Sequence, residues 1–326
     1  MKSFTQILLA AGLSLAPLGL FAQKGGTTTP PERVAIPGGS VTTSYVIAQP
    51  GSYYLAGNRT LTVSGVYAIV IQADGVTIDL NGNTLAGAGG AAAFSDGIHA
   101  EGRADIEVKN GTVTRFGSAG IGIWNNTSAG ARITDVRVSE NGYTGIFSAA
   151  ENTQIVHCVI RENAYHGVDL FSAGGLISDC TITRNGQNGI NLRAAGAAVN
   201  NVVSTSGYIG IWGGNEADAQ IVGNQVEGNN TTGYEGNGGI VVNGRCMVRN
   251  NHVANNTSHG IWAPFFGSTL DGNTVVGTKK TGSNGAGFGY RFGGMVGENF
   301  LSNNRGYANA GGNYGPYIDA GGNFFK

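Results

Sequence analysis

From about residue 74 almost to the C-terminus, hydrophobic positions come in short β-branched runs separated by Asn and Gly, and the pattern repeats. A glycine followed by an aliphatic marks each repeat: Gly97-Ile98, Gly122-Ile123, Gly145-Ile146, Gly167-Val168, Gly189-Ile190, Gly210-Ile211, Gly239-Ile240 and Gly260-Ile261, at steps of 25, 23, 22, 22, 21, 29 and 21 residues. Three units align without gaps: Ile133-Thr-Asp-Val136-Arg-Val138-Ser-Glu-Asn141, Ile155-Val-His-Cys158-Val-Ile160-Arg-Glu-Asn163 and Ile177-Ser-Asp-Cys180-Thr-Ile182-Thr-Arg-Asn185. No unit carries helical spacing, so each predicts two or three short strands. A period of this length means stacked units that bury their apolar faces against one another. The expected fold is all-β, a parallel β-helix of roughly nine to eleven coils with about 22 residues per coil. A leucine-rich repeat has a similar period, but it needs further leucines after the Asn. Here that stretch reads Ala-Tyr-His-Gly-Val-Asp or Gly-Gln-Asn-Gly-Ile-Asn, a turn into another strand.

Two columns of the repeat predict internal ladders. One contains Asn110, Val136, Cys158, Cys180, Asn201, Asn224, Asn251, Asn273 and Asn299; the other contains Asn141, Asn163, Asn185 and Asn256. Small polar side chains stacked at inward bends satisfy backbone groups that the turn leaves free, so both ladders read as structural. Cys158 and Cys180 stand one coil apart. In-register neighbours point the same way, which favours stacked free thiols over a bridge.

Residues 1–22 read as a signal peptide: Lys2 supplies the charge, residues 7–20 the apolar stretch and Ala22 a cleavage point. Residues 23–44 read as a flexible lead-in, and 45–326 as one β-helix domain whose Tyr/Gly/Asn-rich end caps it. The predicted location is therefore secreted, periplasmic or at the cell surface. Without Lys2 the chain holds 19 − 1 = 18 basic against 20 acidic residues. Near-neutrality with no basic run argues against a nucleic-acid partner. The 57 glycines show no triplet period, and the three cysteines are too few for a disulfide scaffold. No later segment reads as membrane-spanning.

The chain resembles the right-handed parallel β-helix proteins of the pectin-lyase-like group over residues 45–326. The most specific stretch is residues 74–87, Asp-Gly-Val-Thr-Ile-Asp-Leu-Asn-Gly-Asn-Thr-Leu-Ala-Gly, preceded by Gln-Pro-Gly-Ser-Tyr-Tyr-Leu-Ala-Gly at 49–57. This pair is similar to the N-terminal cap and first coils of secreted bacterial β-helix proteins. The resemblance implies a right-handed solenoid and a polysaccharide partner, because members of the group cleave, epimerise or de-esterify acidic polysaccharides or bind them. Of the polygalacturonase-like signatures only the His-Gly pairs occur, at His166-Gly167 and His259-Gly260. Of the Gly-aliphatic-Asp-Pro-His sequence of alginate epimerases, Gly167-Val168-Asp169 matches and Leu170-Phe171 departs.

Alternation after each Gly-aliphatic pair sends one residue outward per coil. The first outward column is read as His99, Trp124, Phe147, Asp169, Asn191, Trp212, Val241 and Trp262. The second is read as Glu101, Asn126, Ala149, Phe171, Arg193, Gly214, Asn243 and Pro264. Aromatic faces interleaved with polar edges suit sugar rings. Candidate substrate-binding residues are therefore Trp124, Phe147, Phe171, Asn191, Trp212, Trp262, His99 and Glu101. Candidate catalytic residues are Asp169, Arg193 and His166: Arg193 to neutralise a uronate carboxylate, the others to move a proton in lyase-type elimination. No metal cluster is recognisable; calcium would need an aspartate group that the sequence does not offer, and no cofactor is implied. Long coils at 228–238 and 277–286 should rise beside the column. The alternative is a non-catalytic glycan-binding or structural surface protein, including a homo-oligomer that packs the aromatic column between copies.

Overall fold

A computed structural model describes residues 32–89, 95–125, 127–214, 218–265, 267–281, 287–293, 299–312 and 318–326. Strands of two to nine residues alternate with bends, and every strand pair is parallel. One sheet has eleven strands, from Tyr45–Ile47 to Phe288–Phe292, each joined to the strand one coil later. The other 24 strands form two ladders merged into one sheet by Ile106–Thr114 and Arg132–Ser139, which run unbroken through the bend between them. The result is a right-handed solenoid of about twelve turns.

Three aliphatic stacks fill the interior. Ile98, Ile121, Ile146, Val168, Ile190, Ile211, Ile240 and Ile261 form the stack under the eleven-strand sheet, all essentially without solvent contact. Each such side chain contributes roughly 1.5–3 kcal/mol relative to exposure. The other two ladders add stacks such as Val138, Ile160, Ile182, Val203, Val226 and Ile133, Ile155, Ile177, Ile221, Val248. At the far end Tyr290 replaces the aliphatic. Its hydroxyl donates to the carbonyls of Asn273 and Arg305, and Phe325 packs on its ring at 5.3 Å.

The bends explain the asparagines. Asp135, His157, Asp179, Asn200 and Asn250 all hold φ between 53° and 55°, and each immediately precedes a ladder position. A left-handed residue leaves the next backbone N–H without a strand partner, and the ladder side chain supplies one. The Asn201 N–H donates to Asn224 Oδ1 at 2.9 Å, and Asn201 Nδ2 donates to Ile177 O; the pattern repeats through Asn224, Asn251 and Asn273.

The register corrects several assignments. The first ladder passes through Gly111 rather than Asn110 and ends at Asn304 and Asn323 rather than Asn299. The second contains Asn141, Asn163 and Asn185, then Ser206, Asn229 and Asn256, with Thr278 as the next rung. Cys158 and Cys180 are free thiols stacked in the ladder, with the Cys158 N–H on Cys180 Sγ. Nine to eleven coils is an undercount. Val34–Ile36 and Gly39–Val41, inside the stretch read as a flexible lead-in, already pair with Tyr53–Leu55 and Arg59–Leu61. Arg59 pins this first turn, its buried guanidinium donating to Pro37 O and Thr43 O. The segment read as a signal peptide lies outside the described residues. Among those described, no helix is long and apolar enough to cross a membrane.

Candidate functional site on the eleven-strand sheet

In the register of this sheet, Ile98 pairs with Ile121, Ile121 with Ile146, and so on to Tyr290. The outward column is therefore His99, Gly122, Phe147, Asp169, Asn191, Trp212, Val241, Trp262 and Arg291. Two readings change. The doublet Gly120-Ile121-Gly122-Ile123 contains two Gly-Ile pairs, and the fold uses the first, so Trp124 moves two places on to lie beside Glu101. From there its indole folds back over Gly122, where an added Cβ would stand 2.3 Å from Nε1, and stacks on Phe147 at 4.1 Å. The position between Glu101 and Ala149 that the sequence pattern gives to Asn126 is thus Trp124's; Asn126 lies outside the described residues. In the last coil the marker pair is Gly289-Tyr290, not a Gly-aliphatic pair, which hid Arg291 from the sequence pattern.

A third column, the residue before each glycine, was not foreseen. The main chain joins Asp96, Ala119, Thr144, His166, Asn188, Ile209, Gly238, His259 and Phe288 in neighbouring coils. Five of these are polar and all five are buried. They stand three residues before the outward column, and Asp96, Asn188 and His259 hydrogen-bond its side chains. The polar-Gly-aliphatic triplet was the available signal.

At the first end, Asp96 is 1 % exposed and accepts three hydrogen bonds: Ala119 N–H on Oδ1, and Trp124 Nε1 and His99 Nδ1 on Oδ2, the latter two at 2.8 Å. Tyr67 stacks on the His99 ring at 3.9 Å. Glu101 lies exposed beyond them.

In the middle, Asp169, Arg193 and His166 are brought together, but as a closed network. Asp169 is 0 % exposed. Arg193 grips it bidentately, Nε on Oδ1 and Nη2 on Oδ2, both at 2.8 Å, and Asn191 Nδ2 donates to Oδ1 at 2.9 Å. Those hydrogen bonds hold Arg193 above the usual guanidinium range. Asn188 donates from Nδ2 to Asn191 Oδ1 and from its backbone to His166 Nδ1. Burial pushes His166 down to about 4, so at neutral pH it is uncharged, with its proton on Nε2. Phe171, half exposed, lies 5.8 Å under the Arg193 guanidinium. Tyr143 and Tyr165 stack at 4.8 Å beside this network, and Tyr165 also meets the His166 ring; neither tyrosine was singled out from the sequence. Burial above all raises the Tyr143 phenol.

From Trp212 to Trp262 the column is apolar. Trp212 is partly exposed, and among the described residues no ring or cation stacks on it. Val241 is buried although it points outward. The loop 228–238 does rise beside the column: a Cβ on Gly236 would stand 3.1 Å from the Trp262 indole. Asn230, at φ 60°, shapes this loop by donating to Tyr234 O and Thr257 O and accepting from the Tyr234 N–H. Of the second long coil, residues 282–286 lie outside the described residues; its register step from Gly260 is 289 − 260 = 29 residues. At the far end Arg291 lies over Trp262 at 5.1 Å and donates to His259 Nε2 at 2.8 Å. Among the described residues no group of three or more His, Cys, Asp or Glu stands where it could share a metal ion.

Solved structures share this fold. The A-module of a mannuronan C-5 epimerase from Azotobacter vinelandii superposes with a TM-score of 0.64 at 14% identity, covering 90% of each chain. The catalytic domain of a GH87 α-1,3-glucanase in complex with nigerose gives 0.66 at 14% identity, covering 89% of this chain and 64% of that one. The Dettilon tailspike protein gives 0.55 at 19% identity, covering 89% of this chain and 58% of that one. No curated protein sequence matches the chain. The family described as right-handed β-helix region matches residues 46–201 and 172–325, so that the chain, in sequence as in fold, belongs to the right-handed β-helix family.

Proposed function

We propose that this is an exported protein that holds a polysaccharide chain along the outward face of its eleven-strand sheet. The carrying observation is Trp212: a partly exposed indole on which, among the described residues, no ring or cation stacks, lying next to the buried Asn191 that Asp169 and Asn188 hold in place. An indole face takes the C–H face of a sugar. Trp124–Phe147 on one side and Trp262 on the other extend the surface over neighbouring strands. Support also comes from fold relatives whose own names place a mannuronan or an α-1,3-glucan on such a solenoid. Export rests on the sequence of residues 1–22.

Lyase-type cleavage at Asp169, Arg193 and His166 draws less support. A base needs a free lone pair facing substrate, whereas both Asp169 oxygens are occupied and His166 Nδ1 already accepts a backbone N–H. The geometry favours binding by a rigid face. The test is affinity electrophoresis and calorimetry of the mature protein against neutral and acidic glycans, with ultraviolet absorbance followed for unsaturated products. Binding that falls about tenfold or more in Trp212→Ala is expected, a loss of roughly 1.4 kcal/mol. Failure of every glycan to bind, together with a concentration-dependent mass, would replace this reading with assembly through the column.

A further inference from the structure

We propose that Arg291 is an anion-recognition site at the far end of this face, taking the carboxylate or sulfate substituent of an acidic polysaccharide. The proposal rests on the glycan-binding reading above and adds the substrate's charge. Arg291 occupies the outward column one strand beyond Trp262. Its guanidinium lies over the Trp262 ring at 5.1 Å and near Phe288 at 5.9 Å, so aromatic faces set its plane. Nη1 donates to His259 Nε2 at 2.8 Å. Arginine only donates, so this ring nitrogen carries no proton. His259 is buried, and burial first and the Arg291 charge second push it down to about 3. A neutral histidine therefore orients the guanidinium without neutralising it.

Among the described residues no carboxylate pairs with Arg291, and its remaining N–H groups have no partner. Those groups are not among the sealed polar atoms, so they reach solvent.

The same sheet shows what such an arginine accepts. Arg193, also over an aromatic ring, takes a carboxylate on two parallel N–H groups at 2.8 Å. Planar guanidinium forks match carboxylate and sulfate oxygens in this way. Arg291 offers the unoccupied version, next to an indole on which the sugar ring bearing the anion can lie.

The experiment uses the full mature chain, with oligogalacturonate, dextran sulfate and unmodified dextran as probes, at two ionic strengths. Arg291→Gln should weaken oligogalacturonate or dextran sulfate at least tenfold and leave dextran unchanged. Arg291→Lys should restore only part, because it keeps the charge and loses the fork. Preference between the two anionic probes identifies carboxylate or sulfate as the group read. Acidic glycans bound equally by wild type and Arg291→Gln, while Trp212→Ala weakens all binding, would overturn this inference and leave the glycan face standing. No binding of any probe would remove both. Unchanged melting of Arg291→Gln shows that a loss of binding is not a loss of fold.

Discussion

Two arginines on one sheet, Arg193 and Arg291, share a setting and differ in closure. Each has its guanidinium near an aromatic ring, Phe171 in one case and Trp262 in the other, and each is anchored by a buried side chain. Arg193 is anchored by a carboxylate that fills its fork, so the pair is electrically complete within the protein. Arg291 is anchored by a neutral imidazole through one N–H, and its charge is left open. A bidentate pair with one member sealed from water organises a surface without offering it a charge; a cation held by a neutral acceptor offers both geometry and charge. The presence of an arginine therefore says little about ligand charge until its anchor is known.

The largest expected effect follows from breaking the closed pair. Arg193→Ala leaves the Asp169 carboxylate buried with only Asn191 as a partner, which should cost about 3–5 kcal/mol in urea unfolding. Replacing both members, Arg193→Leu with Asp169→Leu, should recover most of that loss. A single variant within about 1 kcal/mol of wild type would show that the pair is not the structural element described here.

Next in size is the pH response of the two buried histidines. Both have folded values below the ordinary 6.5, His166 at about 4 and His259 at about 3. The unfolded chain binds their protons first, so the stability from keeping them neutral is complete above pH 6.5 and is lost as pH falls toward 4 and then 3. His166 alone accounts for about 3 kcal/mol of that fall. His166→Gln should roughly halve the slope between pH 6.5 and 4, where both rings contribute, and His259→Gln should remove the other half together with the fall that continues below pH 4. A wild-type stability level across this window would contradict the buried, neutral state of both rings.

The solenoid itself was legible in the sequence, because repetition states a fold many times over. One ambiguous coil cannot hide eight clear ones, and the β-branched triplets and Asn ladders repeat through most of the chain. The site was less legible, because it depends on register within single coils. Gly120-Ile121-Gly122-Ile123 offers two equivalent alignments two residues apart, and inward–outward alternation is the same for both. What decides is steric: Gly122 is the residue over which Trp124 can fold to reach Asp96 and Phe147. Pairing was equally invisible, since Asp169 as a free base and Asp169 as a closed anion are written with the same letters. Gly122→Ala should cost about 1–3 kcal/mol by overpacking and shift the tryptophan emission as the indole is displaced. An unperturbed emission spectrum would mean that the indole does not rest on this glycine.

The smallest expected stability change is the one that separates the two arginines most sharply. Arg291→Gln removes a cation that touches Trp262, Phe288 and His259, but it strands no buried charge. Glutamine can still donate to His259 Nε2 from its amide. The cation–π contact at a partly exposed site contributes about 0.5–1 kcal/mol. Removing the arginine also removes the positive charge that helps to hold His259 down. Unfolding at neutral pH, where the ring is uncharged in both, should therefore move by about 0.5–1 kcal/mol, while the acid limb below pH 6.5 should become shallower and end at slightly higher pH, because the folded value of His259 rises toward its unfolded one. A loss comparable to that of Arg193→Ala would mean that Arg291 is closed by a partner after all, and the distinction between a structural and an open cation on this sheet would fall with it.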